Sequence, residues 1–454
     1  MSALPPIPET ASEPDEPREL RRLITLAWPV VLGHLGTMGM GVVDTMMVGR
    51  LGADALAAVS LGHTWSWLAL VTVTGGAHGL DPHFAQAFGA RQPHAAGATL
   101  ARGLALLTVL SLPVLALHFL AAPGLAMMGQ PTALIPTADA YVRVLASSVP
   151  MVLGFQVLRQ YLQGDGWMRP AAWVVFVANG VNALFNWMLI YGGLGAPAMG
   201  PVGSAWATLI ARTFMLAGLI ALGWPLLKKG LPGWAGAITP ARLIALAKDV
   251  VPVGLQVGLE SWAFGGSTML VGLLGATSLA AHSVTLNMAA LSFMVPLGIS
   301  AAASTRVGNL MGANLPWRRA AWTAVGLGAC VMVASASLYT LFPEPLLRLF
   351  TDDPGVLLVG VGLLPLLATF QVFDGIQVVS FGVLRGAGDV RLPALANVLG
   401  YWVLGLPVGY WLAFRGGWGA RGIWLGLTIG LAVVAVLLLV RLRYTAERGG
   451  FRVV

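Results

Sequence analysis

The chain returns repeatedly to apolar stretches of about twenty residues or more, the length that crosses the ~30 Å hydrocarbon core of a bilayer at about 1.5 Å per residue. Inside hydrocarbon every backbone N–H and C=O needs a partner from the protein itself, so only helices or a closed barrel satisfy such stretches. A barrel strand alternates over about ten residues, and these runs do not alternate. Composition points the same way. Apolar types make up 57% of the 454 residues and charged types 10%, against roughly a quarter charged in a soluble domain. That is too little polar material to cover the exterior of soluble domains, which excludes a soluble enzyme, a fibrous protein and a disordered chain. The 58 glycines and 28 prolines suit membrane helices, which tolerate both. The expected fold is an all-α polytopic membrane protein with twelve transmembrane helices. Their approximate positions are 23–48, 55–80, 95–120, 134–162, 170–191, 200–226, 247–273, 279–311, 319–342, 356–384, 393–414 and 421–441. Gly-Asp-Gly (164–166), Gly-Gly (192–193), Leu-Pro-Gly (231–233) and Asp-Asp-Pro (352–354) read as turns between them.

Residues 1–22 are rich in proline and acid and read as a disordered tail. The first apolar stretch is too long for a cleavable signal and lacks a small-residue cleavage site, so it is expected to stay as a helix. An even number of spans puts both termini on one side. Of the 26 Lys and Arg residues, only Arg50, Arg348, Arg415 and Arg421 fall on the opposite side, and Arg143 and Arg212 sit within spans. The positive-inside rule then makes both termini cytoplasmic. The basic residues are scattered, with no aromatic-interleaved cluster, so no nucleic-acid partner is expected.

The chain also repeats itself. Shifted by 223 positions, PVVLGHLGTMGMGVVDTMMVGRLGADALAA from Pro29 aligns without a gap on PVGLQVGLESWAFGGSTMLVGLLGATSLAA from Pro252. Thr45/Thr268, Gly49/Gly272 and Gly52/Gly275 are among the matches. Two halves of six spans each have the same orientation and are expected to form pseudo-twofold-related six-helix bundles, the plan of parallel-repeat transporters. The expected division is a tail at 1–22, a first lobe at 23–226, a cytoplasmic linker at 227–246, a second lobe at 247–442 and a tail at 443–454.

Three carboxylates lie within apolar spans: Asp44, Glu260 and Asp374. A charge in hydrocarbon costs at least a few kcal/mol, so such residues usually line a cavity. Glu260 lies a little over ten residues past Lys248, and Asp374 lies about ten from the inner end of its span, both roughly 15–20 Å deep. At similar levels of one half, the two could share a proton or, with neighbouring oxygens, a Na⁺ ion. Gln256 and Gln377 lie one turn from these carboxylates, and Phe370 one turn before Asp374. Asn179, Asn182 and Asn186 form a polar stripe in the half that carries Asp44, either a second site or interhelical hydrogen bonding. His282 with Thr285 forms another stripe, more often packing than a ligand; His282 is kept among the cavity candidates. Cys330 in an apolar run is expected to be a small core residue. Trp28, Trp167, Trp317 and Trp418 near span ends read as interface anchors. No GxxxxGK[ST], HExxH or GxSxG pattern occurs, so ATP-driven transport and those hydrolytic chemistries are not expected.

Several segments are specific in combination: GMGVVDTMMVGRLGADALAAVS, LDPHFAQAFGA, FNWMLIYGGLGAPAMGPVGSAWAT, AAHSVTLNMAALSFMVPLGISAAASTRVGNLMGA and FDGIQVVSFGVLRGAGD followed by YWVLGLPVGYWL. Together they resemble the multidrug and toxic compound extrusion (MATE) family, closest to its NorM-type branch, from about Leu23 to Arg441. The resemblance implies a non-enzymatic antiporter that exports small lipophilic organic cations in exchange for Na⁺ or H⁺, without a cofactor. It implies a cation site at Glu260 and Asp374, which would hold Na⁺ if that is the ion, and a role for Asp44 with Asn182 and Asn186. It also implies a bacterial inner membrane and a monomer. Some Na⁺-coupled relatives carry Tyr where Phe370 stands, which leaves H⁺ open. Alternatives are a lipid-linked precursor flippase, which the wider superfamily resemblance also admits, and an uncoupled channel or structural membrane protein.

Overall fold

The computed structural model describes residues 16–453. They fold into helices throughout, and by contact they divide into two compact units. The described part of the first comprises Leu32–Leu80 and Gln92–Gly254, and that of the second residues 16–31, Asp81–Arg91 and residues 255–453.

Chain order begins with α1 (Glu16–Gly49), α2 (Ala53–Gly76), the short α3 (Asp81–Gly89) and α4 (Pro93–Phe119). A short α5 (Ala121–Met127) leads to α6 (Ile135–Ala146), α7 (Val149–Gly164), α8 (Arg169–Tyr191) and α9 (Pro201–Gly230). The second repeat holds α10 (Pro240–Gly272), α11 (Ala276–Gly312), α12 (Arg318–Leu341), α13 (Pro343–Leu347) and α14 (Pro354–Gly386). It closes with α15 (Arg391–Val398), α16 (Leu406–Tyr410) and α17 (Ala420–Glu447). π-helical turns at Leu399–Gly405 and Trp411–Arg415 join α15, α16 and their continuation into one span around Pro407.

Ten spans among the described residues are each long and apolar enough to cross a bilayer. An eleventh is α6 with α7, bent by 45° at Ser147–Ser148. The twelfth is α10, whose 33 residues exceed the required length but include Gln256, Glu260 and Ser261 in mid-helix. The protein is thus an all-helical membrane protein with the twelve spans expected, and its least apolar span carries a candidate site residue.

The opening helix of each repeat is shared between units. α1 passes from the second unit to the first after Val31, and α10 from the first to the second after Gly254. Each division falls two or three residues after an internal proline, Pro29 or Pro252, where a backbone hydrogen bond is missing and the helix bends most readily.

The second unit packs around Trp424, Phe370, Leu363, Leu364, Leu367, Leu427 and Leu431. Glycines let α17 run hard against the π-turn span. A Cβ on Gly426 would lie 2.3 Å from the Gly409 Cα, and one on Gly430 2.3 Å from the Gly400 carbonyl oxygen. Without hydrophobic attraction between helices in lipid, such close backbone contact is a main source of association. The first unit has a smaller cluster of Val48, Val59, Tyr141, Leu145, Ile190 and Ala205.

Turn chemistry follows the sequence. Asp353 accepts from the Gly355 and Val356 amides at 2.8 and 3.0 Å and starts α14 with Pro354 at its first position. Gly192 ends α8 at φ 81°. Three expectations are corrected. Residues 16–22, read as the end of a disordered tail, are the first turns of α1, with Glu19 buried, while the rest of that stretch lies outside the described residues. Cys330 is exposed on α12, so it faces outward and not into the core. Trp317 is only 5% exposed and donates its indole N–H to the Gly449 carbonyl at 3.4 Å, which makes it an internal tie and not an anchor. Trp28 and Trp418 are exposed, as anchors would be.

In the turn after α7, burial pushes the Asp165 carboxyl up to about 6, against the opposing pull of the Lys229 ammonium. Folding therefore favours the protonated form. Its stabilisation is complete below the ordinary carboxyl value of roughly 4 and is lost as pH rises through about 6. Asp165→Asn should raise the melting temperature in detergent at pH 8, by up to about 3 kcal/mol of stability. The gain should shrink towards zero as pH falls below roughly 4; a uniform shift at all pH values would contradict this.

Candidate functional site

In the second unit, three separate stretches of chain converge on two carboxylates. Gln256 and Glu260 are four residues apart on α10 and so share a face. Phe370, Asp374 and Gln377 share one on α14. Asn397 and Tyr401 lie one turn apart, where α15 passes into the first π-turn.

The Glu260 carboxylate accepts twice on Oε2, from Asn397 Nδ2 at 2.6 Å and from Gln256 Nε2 at 3.3 Å. Gln377 Nε2 donates to Asn397 Oδ1 at 3.4 Å, so an amide chain leads from Glu260 to the Asp374 face of α14. Asp374 is 5% exposed and lies within coulombic range of Glu260. Tyr401 is within coulombic range of both carboxylates. Three buried oxygens here have no hydrogen-bond partner among the described residues: Gln256 Oε1, Gln377 Oε1 and Tyr401 Oη. A buried acceptor left unmatched costs about 1–3 kcal/mol, so oxygens gathered beside two carboxylates make a place where a proton or a small hard cation is stabilised. Among the described residues no group of three or more His, Cys, Asp or Glu side chains stands together.

Phe370 and His282 lie beside this cluster, in the core. Phe370 packs edge-on to Trp424 and Phe264, at 5.7 and 6.1 Å between ring centroids, and is 2% exposed. His282 has both ring nitrogens engaged: Nδ1 accepts from Trp424 Nε1 at 3.1 Å, and Nε2 meets Thr268 Oγ1 at 3.1 Å. It therefore orients Trp424 and has no nitrogen left for a guest.

In the first unit, Asp44 Oδ1 accepts from Asn186 Nδ2 at 2.5 Å, and Asn186 also donates to Asn182 Oδ1 at 3.0 Å. Thr208 Oγ1 from α9 donates to Asp44 Oδ2 at 3.2 Å. Arg212, one turn further along α9, is within coulombic range of Asp44 and donates to Ser148 Oγ at 2.6 Å. Asn179 stays apart. Its amide donates to its own helix, at the Val175 carbonyl, at 2.8 Å.

Three contributors were missed in the sequence: Asn397, Tyr401 and Thr208. Asn397 stands as a lone amide in an apolar span, without the helical-spacing stripe that singled out the α8 asparagines. Tyr401 and Thr208 gave no such signal, since single hydroxyls are common in membrane helices.

The family model MatE matches twice, over residues 29–188 and 252–411. The chain belongs to the MatE family. The two matches start at Pro29 and Pro252, the same 223-residue offset read from the sequence. MatE relatives match the chain almost end to end. The probable multidrug resistance protein NorM of Mesorhizobium japonicum is 38% identical over 441 residues, covering 93% of each chain. The multidrug resistance protein PmpM of Pseudomonas aeruginosa is 34% identical over 447 residues, covering 95% of this chain and 92% of its own. Among solved structures, the eukaryotic MATE transporter AtDTX14 superposes with a TM-score of 0.85 at 24% identity, over 96% of this chain and 98% of that one. This MatE protein is a multi-pass membrane transporter with the family fold.

Proposed function

We propose that the protein is a multidrug efflux antiporter that exports lipophilic organic cations in exchange for Na⁺ or H⁺. It works as a monomer in the bacterial inner membrane, with both termini cytoplasmic. The observation that carries the reading is the pairing of Glu260 with Asp374 inside apolar spans, among unmatched oxygens of Gln256, Gln377 and Tyr401. The printed names of the NorM and PmpM relatives, both multidrug resistance proteins, support drug as the cargo.

The cycle has two exclusive states. With both carboxylates ionised, the site attracts a cationic guest, and the neighbouring aromatic and aliphatic side chains supply apolar contact. A proton or Na⁺ arriving from outside neutralises the pair, and the guest loses its electrostatic hold. The ion shifts the inward–outward equilibrium only through its different affinity for the two states. Asn397 and Gln256 keep Glu260 in one rotamer, so the proton or ion meets a fixed oxygen. Tyr401 brings a hydroxyl beside the carboxylates although Phe370 has none, so oxygen ligation of Na⁺ stays open. The Asp44–Asn186–Asn182–Thr208 cluster serves the same coupling in the first unit.

The test is ethidium transport by the purified protein in liposomes, with Na⁺ and pH gradients imposed one at a time. Transport should follow one gradient and collapse when it is dissipated. Flux that ignores both gradients would identify a channel, and flux of lipid-linked saccharide without ethidium a flippase.

A further inference from the structure

At the end of the second unit where α12 begins and α17 finishes there is a groove of about 320 Å³ that the transport reading leaves unused. Met311, Asn314, Trp317, Arg318, Ala446 and Arg452 are among the residues lining it. Its volume lies at the lower end of small-ligand sites.

Its charge is one-sided. Two guanidinium groups, Arg318 and Arg452, face it, and among the described residues no carboxylate lines it. The nearest acid along α17, Glu447, is engaged by Arg443 at 3.3 Å. Arg318 makes no ion pair or hydrogen bond with the described residues, and Arg452 donates to Asn314 Oδ1. The groove also has a fixed shape. After α17 the chain folds back as a strap: the Phe451 amide donates to the Ala387 carbonyl at 2.8 Å and the Val453 amide to Gln86 Oε1 at 2.9 Å. Trp317 ties α12 to the same strap through Gly449. The backbone that carries both arginines is thereby held before any ligand arrives, and Arg452 is also fixed by Asn314, which lowers the ordering cost of binding.

Position selects the ligand. Arg318 is the first residue of the span Arg318–Leu341, and Trp322, one turn further in, is 38% exposed. The groove therefore opens at the depth of phospholipid headgroups, on the side that the distribution of Lys and Arg makes cytoplasmic, where anionic lipid collects. We propose that this groove binds the phosphate-bearing headgroup of an anionic phospholipid. Arg318 and Arg452 clamp the phosphate, and the lipid pins the C-terminal strap to the start of α12.

Binding of dioleoyl phosphatidylglycerol and dioleoyl phosphatidylcholine to the full-length protein in detergent, counted by native mass spectrometry, tests this. The wild type should bind phosphatidylglycerol about 25-fold more tightly, since each of the two basic residues near a headgroup adds roughly a fivefold preference. The Arg318→Gln/Arg452→Gln protein should lose that preference, the Arg318→Lys/Arg452→Lys protein should keep most of it, and Arg443→Gln at the same end should leave it intact. If the double Gln protein does not fold, the single Gln variants decide, each expected to lose part of the preference. Equal binding of the two lipids by the wild type would overturn the proposal, as would an undiminished preference in the Gln variants. Complete displacement by equimolar inorganic phosphate would show a free-anion site and overturn the lipid assignment.

Discussion

Glu260→Gln is expected to cut ion-driven drug efflux sharply while leaving a folded protein. Gln keeps the size of Glu and an oxygen that can accept from Asn397, so the amide chain Gln256–Glu260–Asn397–Gln377 need not break. What disappears is the charge that the coupling ion neutralises. Asp374→Asn should do the same from the α14 side, with its own surroundings undisturbed. Coupling between two ligands is typically worth 1–3 kcal/mol, so each variant should lose roughly 5- to 150-fold of its gradient-driven ethidium efflux. Melting temperatures close to wild type would show that the fold has survived. Because the two carboxylates act on one event, the double variant should be little worse than either single one. Normal efflux from either variant would sink the two-carboxylate mechanism.

The largest stability effect is expected from Arg306→Met. Arg306 on α11 grips the Glu19 carboxylate with two N–H groups, Nε to Oε2 at 2.9 Å and Nη2 to Oε1, and both side chains are almost fully buried. The pair fastens the first turns of α1 within the second unit. Removing the guanidinium strands a buried carboxylate, which typically costs about 3–5 kcal/mol. Arg22, at 3.4 Å and partly exposed, can replace little of the lost interaction. A marked fall in melting temperature should follow. Glu19→Gln/Arg306→Met should recover part of it, because no buried charge is then left unmatched. Equal destabilisation in the single and double variants would mean that packing of the arginine stem, and not the ion pair, holds this corner.

Much of this protein was legible in one dimension because the bilayer leaves little choice. A run of apolar residues long enough to cross it has to be a helix, so the spans could be placed near their observed positions. Fold-back signals such as Asp353-Pro354 and Gly192 are local, and they formed as read. The repeat was readable because its register has no gap, and the family matches share the 223-residue offset. Carboxylates in apolar spans stood out because hydrocarbon penalises them. Cys330 and Trp317 misled for a related reason. A helix surrounded by lipid is apolar on every side, so hydropathy carries no sign of which face turns outward.

The sequence by itself determined the span architecture, the internal duplication and the acidic residues that membrane burial makes conspicuous, since each follows from the local cost of placing a group in hydrocarbon. Tertiary packing alone decided which neighbours those acids meet. It brought Asn397 to Glu260, left Asn179 bonded to its own helix, turned His282 into a support for Trp424, and tied Glu19 to Arg306. The reason is that a side-chain hydrogen bond needs an approach of about 3 Å between atoms from different helices. That approach depends on the rotation and close packing of whole helices, set here by contacts such as Gly426 against Gly409, and no periodicity within a single span encodes it.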